Sequence, residues 1–184
     1  MLSAKNYITT KWSGGTTTQL YIYPEDADYG ERNFFWRVST AHIDEETSVF
    51  TALPGIQRWI LPITGDLDLD IAGEHVHLTP LQTCCFDGGL PIRSSGRIQD
   101  FNLMLSEGWE GTVEVLEVQR NLRLKRGFYY LPPEQGDVRV IMTDDEGREV
   151  IAVQGNCIYV EEGEKEAVFD KPCKIIFIDV NKRY

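Results

Sequence analysis

Two short segments of this chain set polar side chains at alternate positions between apolar ones. In Phe35–Ala41 an extended backbone puts Arg37 and Ser39 on one face and Trp36, Val38 and Thr40 on the other, because strand side chains alternate with period two. In Asp100–Met104 the same alternation groups Asp100, Asn102 and Met104 against Phe101 and Leu103. If both polar rows turn into one interior, with Arg58 entering from a further strand, the enclosed space holds two guanidiniums, an amide, a hydroxyl and one carboxylate. Such a set suits a small carboxylate. A guanidinium fork donates two parallel charge-assisted hydrogen bonds, and Asn102 supplies both a donor and an acceptor. Thr17, within the run Thr16-Thr17-Thr18, is placed at the same pocket. The alternative stays open: Asp100 neutralises Arg37 or Arg58 in a buried structural pair, since charge in an interior must be paired whatever the function.

Other chemistry-bearing residues point to less. His75 and His77 are spaced as two ligands of a transition metal, but no Glu follows closely and His42, the third histidine, lies upstream. Val76 and Leu78 take the inward face of that segment, so both histidines are expected outside, and no metal site is assigned. Gly14-Gly15 ahead of three threonines reads as a turn or bulge opening a strand rather than a phosphate cradle, which would need a Lys or a following helix. Ser39 has no local histidine to serve as its base, so no catalytic residue is assigned and no cofactor is expected. Cys84, Cys85, Cys157 and Cys173 match neither a redox motif nor zinc spacing and read as reduced, packed thiols.

The elements that must position these residues are strands. Short β-type runs recur at Leu20–Tyr23, Phe34–Ala41, Gln57–Ile63, Asp66–Ile71, His75–Leu78 and Gly111–Gln119. They recur again at Val138–Met142, Glu149–Val153, Cys157–Val160, Ala167–Phe169 and Lys174–Val180. Turn residues such as Pro54-Gly55, Gly65, Ala72-Gly73 and Gly88-Gly89 punctuate them, the rhythm of a barrel or sandwich. No helical period is sustained, and no flexible linker interrupts Gly108–Lys125. With 184 residues, 42% of them hydrophobic, the chain buries a sizeable core. A formal charge of -11, from 18 basic and 29 acidic residues, repels a nucleic-acid backbone, so no nucleic-acid partner is expected. The acidic runs at Asp44-Glu45-Glu46, Asp144-Asp145-Glu146 and Glu161-Glu162 read as solvated loops. No charged-then-apolar leader opens the chain and no stretch approaches the ~20 apolar residues of a membrane span, so a cytoplasmic location without a membrane is expected. Phe34, Phe35, Trp36, Trp59, Tyr129 and Tyr130 exceed what two narrow barrels need, and some are assigned to a homodimer face.

Four segments carry a family resemblance: Trp12-Ser13-Gly14-Gly15-Thr16-Thr17, Trp36-Arg37-Val38-Ser39-Thr40-Ala41, Phe50-Thr51-Ala52-Leu53-Pro54-Gly55-Ile56-Gln57-Arg58, and Asp100-Phe101-Asn102-Leu103-Met104. In order and spacing they resemble the HutD/Ves family, with a shorter opening motif that lacks the Asn of many members. The resemblance implies an all-β double-stranded β-helix, or cupin, repeated as two interlocked barrels in one chain. The N-terminal barrel would span 1–108 and a closely packed cupin-like barrel 109–184. It also implies a bicupin associated with histidine utilisation, without an established reaction. Three functions follow as expectations. The first is a non-catalytic or regulatory protein binding a small carboxylate through Arg37, Ser39, Arg58, Asn102, Asp100, Thr17 and Met104. The second is a metal-independent isomerase or lyase using Asp100 as acid or base. The third is a structural or interaction module.

Overall fold

In a computed structural model the chain is described over residues 7–133, 136, 138–143 and 147–183. Its strands begin with β1 (Ile8–Trp12), β2 (Gly15–Tyr23), β3 (Trp36–Ile43), β4 (Thr47–Val49), β5 (Ile56–Thr64) and β6 (Leu67–Ile71). There follow β7 (Glu74–Leu78), β8 (Cys84–Asp87), β9 (Ile92–Ser95), β10 (Gln99–Ser106), β11 (Trp109–Val118) and β12 (Asn121–Leu124). The last six are β13 (Gly127–Tyr130), β14 (Arg139–Thr143), β15 (Glu149–Val153), β16 (Cys157–Val160), β17 (Lys165–Phe169) and β18 (Cys173–Lys182). The described residues form no α-helix, and the all-β expectation holds.

Two compact units divide the chain. Tyr7–Glu110, joined by Lys182 and Arg183, forms the first, and Gly111–Asn181 the second. A six-stranded sheet in the order β1-β2-β3-β10-β5-β8 and a four-stranded sheet in the order β4-β9-β6-β7 build the first unit. The second contains the sheets β11-β18-β13-β16 and β12-β17-β14-β15. These are separate hydrogen-bonded sheets and do not close into a continuous barrel.

Alternation explains the strands. Leu67 and Leu69 are fully buried while the intervening Asp68 and Asp70 lie at or near the surface. The β6–β7 hairpin turns at Ala72-Gly73, both with positive φ, the two-residue turn whose twist matches that of the flanking strands. Ile43, Ile60 and Phe86 from the larger sheet meet Leu67, Leu69, Leu78 and Ile92 from the smaller one in the core of the first unit. A second core gathers Val140, Met142, Ala152, Val160, Phe169, Ile175 and Phe177.

The aromatic residues singled out in the sequence divide between the core and the surface. Phe34, Trp36, Tyr129 and Tyr130 are core residues, and Tyr129 packs against Phe177 with ring centroids 4.7 Å apart. Phe35 stays 44% exposed, stacked on Trp109. Short strands covered on both faces need more aromatic volume than alternation alone suggests. All four cysteines are free thiols: Cys157 and Cys173 are buried, Cys84 is half-buried and Cys85 is exposed. Cys85 departs from the packed reading because β8 pairs on one side only and alternation turns it outward. The acidic turn at 144–146 lies outside the described residues.

Candidate functional site

The site is built on three adjacent antiparallel strands, β3, β10 and β5. Met104 lies opposite Arg37 on one side and Arg58 on the other. Asn102 lies opposite Ser39 and Ile60, and Asp100 opposite Ala41 and Pro62. Directly opposed residues project from the same face of a sheet, so the two polar rows of the sequence become one continuous surface. Neighbouring β2 extends it with Thr17 opposite Ala41 and Gln19 opposite Ser39.

A β-bulge then changes the pattern. Two residues of β2 advance against one of β3 at Leu20, so Tyr21 pairs with Val38 and Ile22 with Arg37. Without the extra residue Tyr21 would stand beside Arg37. With it, the tyrosine moves to the opposite face and packs on Trp36, with ring centroids 4.7 Å apart. Ile22 instead joins Phe34, Leu53, Ile56 and Met104 in a small apolar cluster beside the arginines. At the other end of β2, a Cβ on Gly15 would sit 1.9 Å from the carbonyl oxygen of His42. Glycine is therefore required for β2 to close on β3, and Gly14-Gly15 belongs to the β1–β2 turn as its spacing suggests.

A cavity of about 310 Å³ opens over this surface. All seven residues singled out in the sequence line it: Thr17, Arg37, Ser39, Arg58, Asp100, Asn102 and Met104. Trp12, Tyr29 and Phe50 complete much of the wall. Arg37 is held on three sides. Its Nε donates to Gln19 Oε1 at 2.8 Å, one terminal nitrogen donates to Ser39 Oγ at 3.0 Å, and its guanidinium lies 4.2 Å from the centre of the Tyr29 ring. Arg58 lies against the rings of Phe50 and Phe86, and its buried Nε has no hydrogen-bond partner among the described residues. Asp100 accepts two hydrogen bonds at one oxygen, from the Ala41 amide at 3.1 Å and from Asn102 Nδ2 at 2.6 Å. Asn102 Oδ1 is buried without a partner among the described residues.

Burial dominates the electrostatics. It lowers the Arg37 pKa to about 10, opposed by Tyr29 and assisted by the nearby Arg32 and Arg58. The same desolvation lowers Arg58, with Tyr29 and Asp100 opposing it. Asp100 is raised to about 7 by burial, against the pull of Arg58 and its two hydrogen bonds. Among the described residues neither Arg37 nor Arg58 forms an ion pair with Asp100 or any other carboxylate. Two guanidiniums, 5% and 8% exposed, thus share a cavity with a carboxyl poised between its two forms.

The histidines stand elsewhere. His75 and His77 are exposed on β7, both turned to Asp68 at 3.5 and 2.8 Å. The hydrogen bond that His77 donates from Nδ1 to Asp68 is the main cause that raises the His77 pKa. Among the described residues no three His, Cys, Asp or Glu side chains are grouped to hold a metal ion. Gln19, Tyr29, Phe50 and Phe86 are the supporting residues that sequence reasoning missed. Gln19 was reachable, two residues beyond Thr17 on the same strand face. Tyr29 sits in the irregular connection between β2 and β3, where no periodicity operates.

Comparison with solved structures places this fold among known ones. A conserved Pseudomonas aeruginosa PAO1 protein, PA5104, matches with a TM-score of 0.77 and 21% identity, covering 98% of this chain and 97% of the other. HutD from Pseudomonas fluorescens SBW25 matches with a TM-score of 0.71 and 25% identity, over 100% of this chain and 98% of that one. A cupin 2 conserved barrel domain protein from Leptotrichia buccalis matches with a TM-score of 0.60 at 11% identity, over 95% and 92%. A comparison with curated proteins found no match. The HutD family model, however, aligns with residues 4–177 and takes in every strand that lines the cavity, so this chain belongs to the HutD family.

Proposed function

We propose that this protein is a non-catalytic, cytoplasmic bicupin that binds a small carboxylate in its N-terminal unit, in connection with histidine utilisation. The observation that carries the reading is the pair Arg37 and Arg58, buried in one cavity with no carboxylate partner among the described residues. A desolvated guanidinium without a counter-charge is costly, and an anionic ligand is the partner that offsets the cost. The unpartnered Arg58 Nε and Asn102 Oδ1 supply a donor and an acceptor for it. Family membership supports the metabolic setting.

The test is a thermal-shift and calorimetric screen against urocanate, formylglutamate, glutamate and formate, the last being the condition under which the HutD structure from P. fluorescens was determined. At least one acid is expected to raise the unfolding temperature and to remain chemically unchanged by NMR. No shift with any of them sinks the proposal.

One observation favours a second reading. Asp100, raised to about 7, is matched to proton transfer at neutral pH, as a metal-independent isomerase or lyase would need. Turnover of a bound acid that stops on Asp100→Asn would establish it.

A further inference from the structure

The two oxygens of Asp100 have different surroundings. Oδ1 accepts both the Ala41 amide and Asn102 Nδ2, whereas Oδ2 has no partner among the described residues. The side chain lines the cavity, is 2% exposed, and makes no ion pair with either arginine. An anion drawn to Arg37 and Arg58 therefore arrives beside a second acidic group. If that group is ionised, the two negative charges repel at low effective dielectric; if it carries a proton, it becomes a hydrogen-bond donor to the same anion.

We infer that Asp100 is a ligand-binding group in its acid form, donating from Oδ2 to an oxygen of the anion, so that ligand and one proton enter the cavity together. This deepens the carboxylate reading above and rests on it. The site accordingly selects anions and disfavours a ligand whose cationic group would require Asp100 ionised. The titratable groups facing Asp100 across the cavity are Arg37 from β3, Arg58 from β5 and Tyr29 from the β2–β3 connection, and no histidine lines it. Arg37, lowered only to about 10, keeps its charge through the neutral range, and Arg58 is counted as charged because a guanidinium does not give up its proton there. Asp100 is left as the group that changes state there, at about 7 in the free protein.

The sign follows from linkage. Binding an anion beside Asp100 raises its pKa further, so the affinity is level below about pH 7 and declines above it, by about tenfold per pH unit while the bound form keeps its proton. Glutarate is the probe, because its own carboxylates stay ionised from about pH 6.5 to about pH 9. Calorimetric titration of the native protein should show that decline, and Asp100→Asn, which keeps a donor in place of the acid proton, should bind with the low-pH strength throughout. A flat profile in the native protein, or the same slope in Asp100→Asn, overturns the inference. Should the variant fail to fold, native protein titrated near pH 8 in buffers of different ionisation enthalpy still decides: uptake of about one proton per glutarate supports the inference and none overturns it. Absence of glutarate binding at every pH overturns this inference, and together with no shift in the acid screen it overturns the carboxylate reading as well, whereas binding with no pH dependence overturns the inference alone.

Discussion

At the scale of single residues, the absence of an ion pair between Asp100 and the arginines separates two energies that are usually entangled. Were Asp100 a structural counter-ion, truncating an arginine would strand a buried carboxylate and destabilise the fold by ~3–5 kcal/mol. Arg58 instead lies against Phe50 and Phe86 with its Nε unpartnered, so its charge is a burden on the free protein. Arg58→Met keeps the apolar stem against those rings and removes the charge. It is expected to leave the urea midpoint unchanged or raised while weakening carboxylate binding by ~2–4 kcal/mol, the range for losing a desolvated charge-assisted contact. Chemical denaturation and calorimetry on one preparation measure both, and a stability loss near 3 kcal/mol with unaltered binding would reverse the assignment. Arg37 is a different case, because Gln19, Ser39 and Tyr29 already hold it in place without neutralising it. On the proposed reading Arg37 is the preorganised half of an anion-binding pair, and Arg58 the half that gains its hydrogen-bond partner from the ligand.

At the scale of elements, the site depends on how β2 runs beside β3. Gly15 lets the strand begin against the His42 carbonyl, and the Leu20 bulge decides which β2 side chains reach the arginines. Gly15→Ala would put a Cβ 1.9 Å from that oxygen at a φ of 151°, which a side chain rarely adopts. The expected result is a destabilisation of about 2 kcal/mol or more, with faster hydrogen exchange at the β2–β3 amides near residues 15–17. A midpoint shift within ~0.5 kcal/mol, typical of indifferent surface positions, would show that the strand accommodates the change. Alternation made the polar face of β3 legible, since Arg37 and Ser39 are two apart between buried apolar residues. It could not reveal the bulge, because an inserted residue leaves no periodic mark and shows only where the partner strand's register is known.

At the scale of the whole molecule, the chain crosses between its two units within strands. β11 starts at Trp109 in the first unit and ends at Val118 in the second, and β18 ends at Lys182, which belongs with the first. Arg183 then donates its backbone amide to the Gly108 carbonyl and pairs with Glu110. No flexible linker interrupts residues 108–125, so one cooperative transition is expected on heating, with coincident fluorescence and circular-dichroism curves. A stable proteolytic fragment ending close to Glu110 would show the units to be independent. By itself the sequence determined the strand rhythm, the faces of the key strands and the identity of the polar residues on them, because all of these follow from side-chain order at period two. Only the tertiary structure decided that Met104 stands between Arg37 and Arg58, that Tyr29 and Gln19 hold Arg37, and that Asp100 is left without an arginine partner. Those outcomes depend on register, a bulge and the desolvation of one cavity, and each is settled by contacts between residues far apart in the chain.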